Sequence, residues 1–291
     1  MIGSLKRGIS TVGIMAGLIL AIGTVPGMAA ETSPPAQNDG FGAALWMQSS
    51  TEYKAAALSA YALARIRLDE ALADPAWTAA TEQTDDYEAL PPAVIVDVDE
   101  MVLDNSAYMA HLIATGEHFS FKSWDAFVKD EVSTPIPGAL AFAEYATSKG
   151  VKIFYVTNRP VGEKEATRGN LVKVGFPMGG NVETVLTQDP AQGWDEYKGK
   201  RRAFIARNYR IVLLMGDNFG DFTDRFKGTP ADRLKAFEAD KARWGHDWIM
   251  LPNPTYGSWE QAPFKGDYSL SAAERRKLQM EALTPWEPEA Q

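Results

Sequence analysis

Three short apolar runs in this 291-residue chain each end in residues able to do chemistry. Ala93-Val-Ile-Val96 runs straight into Asp97-Val-Asp99-Glu100, which places two carboxylates two positions apart. Ile211-Val-Leu-Leu-Met215 ends in Gly216-Asp217-Asn218-Phe-Gly-Asp221-Phe222, which adds two more. A third run, Val151 to Val156, closes on Thr157-Asn158-Arg159. A carboxylate can serve as a nucleophile or as a general acid and base. Several together suit a hard cation such as Mg²⁺, which prefers oxygen ligands. The Thr157 hydroxyl and the amides after it could hold an oxyanion.

Continuous apolar runs are the pattern of strands buried on both faces of a parallel sheet, and ligands of open α/β sheets bind beyond the carboxyl ends of such strands. The pattern predicts a doubly wound α/β fold with Asp97 on a central strand that starts at Pro91 and Pro92. Gly138 to Lys149 reads as a helix stopped by Gly150, and Glu163 to Val174 as a helix stopped by Gly175. With the strand Val151 to Val156 between them, these are crossover units of a parallel sheet. Val182 to Leu186 reads as a short strand, Lys198 to Arg207 as a helix, Ala231 to Trp244 as a charged helix, and Trp248 to Leu251 as a late strand. Upstream, Ser49-Ser-Thr-Glu52 fits a capping box, and Tyr53, Ala57, Tyr61, Ala64, Leu68 and Leu72 recur at helical spacing. Between Ala107 and Thr134 the pattern is irregular and aromatic, with Tyr108, Phe119, Phe121, Trp124 and Phe127, and reads as part of a cap.

At the N-terminus, Lys6 and Arg7 precede an apolar stretch from Ile9 to Val25 and the small residues Ala29 and Ala30. This predicts a secretory signal peptide over residues 1–30, cleaved after Ala29 or Ala30, with an apolar core short for a membrane span. The expected location is periplasmic or secreted. Residues 31–40 form a polar, proline-containing lead-in, expected to be mobile. The rest, 41–291, suffices for one domain, with cap elements from about 41–75, 107–134 and the C-terminal region. The chain has no cysteine, so neither a disulfide nor a lipid-carrying cysteine can form. A net charge of −9 does not fit a general nucleic-acid surface. His111, His118 and His246 are too scattered for a compact zinc motif, and no Gly-rich phosphate loop or nucleophile elbow occurs.

The order of the motifs resembles the haloacid-dehalogenase superfamily of aspartate-nucleophile phosphatases. The closer resemblance is to its class C acid phosphatases, the family of the bacterial outer-membrane lipoprotein e(P4). It rests on Asp97-Val-Asp-Glu-Met-Val-Leu-Asp-Asn-Ser106, Phe154-Tyr-Val-Thr-Asn-Arg159, Gly216-Asp-Asn-Phe-Gly-Asp-Phe222 and Pro252-Asn-Pro-Thr-Tyr-Gly-Ser-Trp-Glu260. The resemblance implies hydrolysis of phosphate monoesters with Mg²⁺, at acidic to neutral pH, through an aspartyl-phosphate on Asp97. Asp99 is then the acid and base, and Thr157 holds a phosphoryl oxygen. Dehalogenases typically carry an aromatic residue at the position of Asp99, and ion-pumping ATPases a Thr.

By the same resemblance the metal takes a side-chain oxygen of Asp97, the backbone carbonyl of Asp99 and the Asp217 carboxylate, while Asp221 orders a coordinated water. The family's lysine, three positions before paired arginines, matches Lys198 with Arg201 and Arg202; Lys200 is the competitor. Trp124, Tyr256 and Asn158 become substrate-binding residues. The two aromatics would close around the base or nicotinamide ring of a nucleotide, so nucleoside 5′-monophosphates, nicotinamide mononucleotide and aryl phosphates are the implied substrates. Asp104, Asn105 and Ser106 stabilise the turn into the cap, with Asn105 placed where it could face substrate. The chain departs from the family in Met101, where Thr is more usual, and in lacking the lipid-carrying cysteine. A phosphotransferase of the same fold and a non-catalytic nucleotide- or haem-binding protein are the rival readings, and a homodimer is left open.

Overall fold

The computed structural model describes residues 38–287, so the predicted signal peptide and most of the lead-in lie outside the described residues. In chain order the elements are α1 (Phe41–Ser49), α2 (Thr51–Ala73), β1 (Pro92–Val96), β2 (Leu103–Asp104), α3 (Ser106–Thr115), α4 (Phe121–Lys129), β3 (Thr134–Pro135), α5 (Ala139–Ser148), β4 (Lys152–Pro160), α6 (Lys164–Lys173), β5 (Val185–Gln188), α7 (Gly199–Ala206), β6 (Arg210–Gly216), α8 (Pro230–Ala239), β7 (Trp248–Met250), α9 (Ser258–Gln261) and α10 (Ala272–Glu281). Among the described residues no helix is long and apolar enough to cross a membrane.

Five parallel strands form one sheet in the order β5-β4-β1-β6-β7. The chain moves outward from β1 to β4 and β5 on one side, then to β6 and β7 on the other. The switch point therefore falls at the carboxyl end of β1, where Asp97 follows. Both faces are covered. Val94, Val96, Ile153 and Tyr155 pack with Tyr61 and Leu68 of α2 and Phe142 of α5. Ala93, Ile95, Phe154 and Val156 pack on the other face with Ile205 of α7 and Trp248. Each such aliphatic side chain contributes roughly 1.5–3 kcal/mol on burial, which is why the strands read as unbroken apolar runs. Between Ala93 and Val94 the β1–β6 register shifts by one residue, and Val212 and Leu213 consequently join the same cluster.

The predicted helix stops hold, with Gly150 at φ 77° and Gly175 at φ 94°, conformations that cost glycine little. Several boundaries differ. The N-cap of α2 is Ser50, whose hydroxyl accepts the Tyr53 N–H at 3.0 Å; the box expected on Ser49 and Glu52 is one residue early because Ser49 still belongs to α1. Strand β4 runs to Pro160 rather than Val156. Helix α8 opens on a Thr229/Asp232 capping box and ends at Ala239, not Trp244, which instead packs against Phe222 and Trp248. The largest correction concerns the cap. Residues 41–75 were expected to contribute to it beside 107–134 and the C-terminal region, but of these residues α2 buries Tyr53, Ala57, Tyr61, Ala64, Leu68 and Ala71 in the sheet's own core layer. Its apolar stripe is long enough to cover β1 and β6. The cap proper is built by α3 and α4, closed at its base by the antiparallel β2–β3 pair and packed on α1.

Candidate active site

Asp97 leaves β1 still in register, its N–H donating to the Met215 carbonyl at 2.9 Å, and its side chain is buried. The Lys198 ammonium sits against the Asp97 carboxylate and 2.7 Å from Asp221 Oδ1. One oxygen each from Asp97, Asp217 and Asp221 lie within 4.8 Å of one another. Two loops fix this cluster. Asn253 donates to Asp217 Oδ2 at 2.8 Å, and the Asn218 N–H donates to Asp221 Oδ2 at 2.9 Å. Gly216 is required for the second contact, since a Cβ there would stand 2.2 Å from Asp221 Oδ2.

Three carboxylates, none more than 9% exposed, face a single ammonium. Burial pushes the Asp97 carboxyl up to about 7 against the pull of Lys198, with Asp221 and Asp99 adding repulsion. Burial, then Asp221 and Asp97, raise Asp217 well above the carboxylate range. Burial opposes charge on Lys198, yet Asp221 and Asp97 raise its pKa on balance. Fully ionised, the three carboxylates exceed what Lys198 neutralises, and their donors are all oxygens, a set that fits a hard divalent cation.

Burial separates the two lysines. Lys198 is 4% exposed and inside the cluster, whereas Lys200 extends into solvent toward Asp195 and the Gly193 carbonyl. Lys198→Met should lower turnover by about 10²-fold or more, the loss typical of removing one preorganised charge partner. Lys200→Met should stay within about twofold, as an exposed pair contributes little. Steady-state kinetics of the two variants check this, and equal losses would remove Lys198 from the site.

Asp99 lies beside the three-carboxylate cluster, and its side chain turns toward the cap. Its Oδ1 accepts from Asn105 Nδ2 at 2.9 Å and from Arg159 Nη2 and Nε at 2.8 and 3.0 Å. Its Oδ2 accepts from the Thr157 hydroxyl at 3.0 Å. Thr157, expected on a phosphoryl oxygen, therefore spends its proton on Asp99. Asn158, expected to bind substrate, stands at an exposed position and also braces the loop, donating to the Glu196 carbonyl at 3.0 Å and accepting from Arg201 at 2.6 Å. Arg201 is fully buried and also donates to the Thr157 carbonyl at 2.5 Å; burial pulls its pKa down to about 10. Arg202 donates to the Asp221 carbonyl at 3.1 Å. The paired arginines are thus structural ties beneath the two catalytic strands.

Trp124 and Tyr256 both reach this region. Trp124 packs with Tyr108 and Phe127 in the cap and covers the Arg159 guanidinium at 5.4 Å. The Tyr256 hydroxyl donates to the Glu100 carboxylate, an anchor not foreseen for it. Glu100 is buried at φ 60°, a left-handed conformation costing a non-glycine residue on the order of 1–3 kcal/mol. It is held there by its N–H on the Leu103 carbonyl at 2.8 Å and by the Asn105 N–H on its carboxylate at 2.9 Å. Asn105 itself is buried, with its side chain engaged by Asp99 and Ser133. Glu100, Arg159 and Asn253 carry no role in the sequence reading. The only signal was their presence inside the quoted motifs.

A parallel sheet with a buried carboxylate after β1, a second acidic pair after β6 and a buried lysine between them defines a protein of the haloacid-dehalogenase (HAD) type. A family model described as HAD superfamily, subfamily IIIB (Acid phosphatase) matches residues 26–259, and the chain belongs to that family of phosphomonoesterases. The structure is similar to the class C acid phosphatase from Bacillus anthracis, with a TM-score of 0.74 and 36% identity over 85% of this chain and 98% of that one. A class C acid phosphatase from Bacillus anthracis with tungstate bound matches at 34% identity and the same TM-score. The Stem 28 kDa glycoprotein of Glycine max is 27% identical over 174 residues, covering 59% of this chain and 62% of its own, less than two thirds of that relative's length.

Proposed function

We propose that this protein is a Mg²⁺-dependent acid phosphatase acting on nucleoside 5′-monophosphates, nicotinamide mononucleotide and aryl phosphates through an aspartyl-phosphate on Asp97. The observation that carries the reading is Lys198 lodged between Asp97 and Asp221, with Asp217 alongside, at the switch point of the sheet. Tungstate in the related structure is a tetrahedral oxyanion like phosphate, which suits the same chemistry. Asp97, Asp217 and the Asp99 carbonyl, with Asp221 beside them, would hold the cation, which neutralises charge where a dianionic ester meets the carboxylates. Asp97 attacks phosphorus as the bond to the leaving oxygen breaks, and Asp99 gives that oxygen a proton. Water then attacks phosphorus, Asp99 takes its proton, and inorganic phosphate leaves with Asp97 restored. The signal-like N-terminus of Lys6, Arg7 and the apolar stretch to Val25 supports a periplasmic or secreted enzyme. A panel of phosphomonoesters assayed for phosphate release, with and without Mg²⁺, tests the reading; no release from any of them overturns it.

Tyr256 carries the nucleotide preference in this reading, with its hydroxyl anchored on Glu100 and its ring left to stack. Tyr256→Ala should lower kcat/KM for nucleoside monophosphates by roughly tenfold relative to small alkyl phosphates, since stacking contributes about 1–3 kcal/mol per base. Tyr256→Phe keeps the ring and strips a partner from buried Glu100, at a cost of about 1–3 kcal/mol. It should lower the melting temperature without changing the substrate ratio. Equal losses on both substrate classes for Tyr256→Ala would leave the residue a loop anchor only.

A further inference from the structure

We propose that Arg159 is the positioning residue for Asp99, clamping Oδ1 so that Oδ2 is the oxygen that exchanges protons with leaving group and water. The inference rests on the phosphatase reading above. The two oxygens of Asp99 are held unequally. Oδ1 receives three donors, Arg159 Nη2 and Nε and Asn105 Nδ2, at 2.8–3.0 Å. Oδ2 receives only the Thr157 hydroxyl at 3.0 Å and a longer 3.3 Å contact from the same Nε. Thr157 lies in β4 two residues past Tyr155, the partner of Val96 at the end of β1, so the less committed oxygen lies on the side where a phosphoryl group would meet Asp97.

Arg159 is built to hold rather than to bind substrate. It is 3% exposed. Its Nη1 donates to the Thr167 hydroxyl at 3.1 Å, and Thr167 in turn donates to the Glu163 carbonyl at 2.9 Å. Trp124 lies over its face at 5.4 Å. The planar fork therefore has one orientation, fixed from α6 behind and from the cap in front. Asn105, the other donor to Oδ1, is fixed by Ser133, whose hydroxyl donates to Asn105 Oδ1 at 2.6 Å. Asp99 is thus gripped jointly by the core and the cap. Proton transfer requires heavy atoms within hydrogen-bond reach, and a misplacement of about 1 Å can cost about 10²-fold. A carboxylate with one oxygen clamped meets that tolerance; one free to rotate does not.

The test compares kcat/KM, which reports formation of the aspartyl-phosphate and not its hydrolysis, on 4-nitrophenyl phosphate, whose leaving group needs little protonation, and on glycerol phosphate, whose leaving group needs full protonation. Wild type, Arg159→Gln, Asp99→Asn and the double variant are measured. Arg159→Gln should lose about 10²-fold on the alkyl ester and at least about tenfold less on the aryl ester. The double variant should be no worse than Asp99→Asn within about twofold, because the clamp has no other task. Where Arg159→Gln does not fold, Arg159→Lys and Thr167→Val, which loosen the fork without removing the charge, should show the same bias at smaller size. Equal losses on both esters, or additive losses in the double variant, overturn the inference while leaving the phosphatase reading intact. A wild-type protein that hydrolyses neither ester overturns both.

Discussion

Asp97→Asn should give a folded protein whose turnover of every phosphate monoester falls by at least about 10³-fold, or roughly 4 kcal/mol of transition-state stabilisation. The amide is a far poorer nucleophile, so the aspartyl-phosphate cannot form. The fold should survive, because the change is nearly isosteric and it lifts a carboxylate out of a buried cluster already crowded with negative charge. Lys198 keeps Asp221 as a partner at 2.7 Å, so no buried cation is orphaned. Circular dichroism and a melting curve establish the fold, and a burst assay with 4-nitrophenyl phosphate establishes the chemistry. Wild-type-like turnover by this variant would sink the mechanism, as would a full burst of nitrophenol.

Chelation should abolish activity, and added Mg²⁺ should restore it. Two unit charges of like sign about 4 Å apart repel by roughly 4 kcal/mol at an effective dielectric of 20. A dianionic ester entering beside Asp97, Asp217 and Asp221 meets several such terms, and among the described residues Lys198 is the only buried ammonium in contact with the cluster. Full activity in a preparation shown to be metal-free would refute this.

The same cluster predicts a pH dependence of stability in the metal-free protein. In the folded chain Asp97 titrates near 7 and Asp217 well above the usual range, chiefly through burial, whereas both have released their protons in the unfolded chain above about pH 4. Between those limits the folded state binds more protons than the unfolded state, so stability falls as pH rises through the window. The melting temperature of chelated protein should therefore drop from pH 5 to pH 8. The drop should be shallower in Asp97→Asn, and Mg²⁺ should stabilise more at pH 8, where its ligands have no protons to give up. An identical slope in wild type and Asp97→Asn would show that this cluster does not set it.

Much of the fold and part of the site are legible along the chain because they depend on neighbours. An apolar run that ends in carboxylates announces a buried strand and its functional end, and Gly150 and Gly175 stop helices through their own backbone freedom. Asp97, Asp99, Asp217 and Asp221 are located by this logic, and the family follows from their order. The helical stripe from Tyr53 to Leu68 is equally local, since a 3.6-residue period needs no partner to be read.

What the stripe packs against is not local, and only the tertiary structure assigns α2 to the sheet instead of the cap. The same holds for Lys198 over Lys200: two residues along a helix start swing a side chain by about 200°, and the sheet decides which one points inward. Arg159 meets Asp99 across a separation of 60 residues, and Asn253 meets Asp217 across 36. Such contacts exist because parallel strands bring distant carboxyl ends together, and no local pattern encodes the distance between them. The strained backbone of Glu100 belongs to this class in part, since a glutamate has no intrinsic preference for φ 60° and one of the groups holding it there is Tyr256, 156 residues away. The sequence by itself determined which strands end in chemistry and which family that chemistry belongs to. The tertiary structure alone decided which polar side chains in the motifs touch one another, because their energies depend on through-space geometry and burial that the order of residues does not carry.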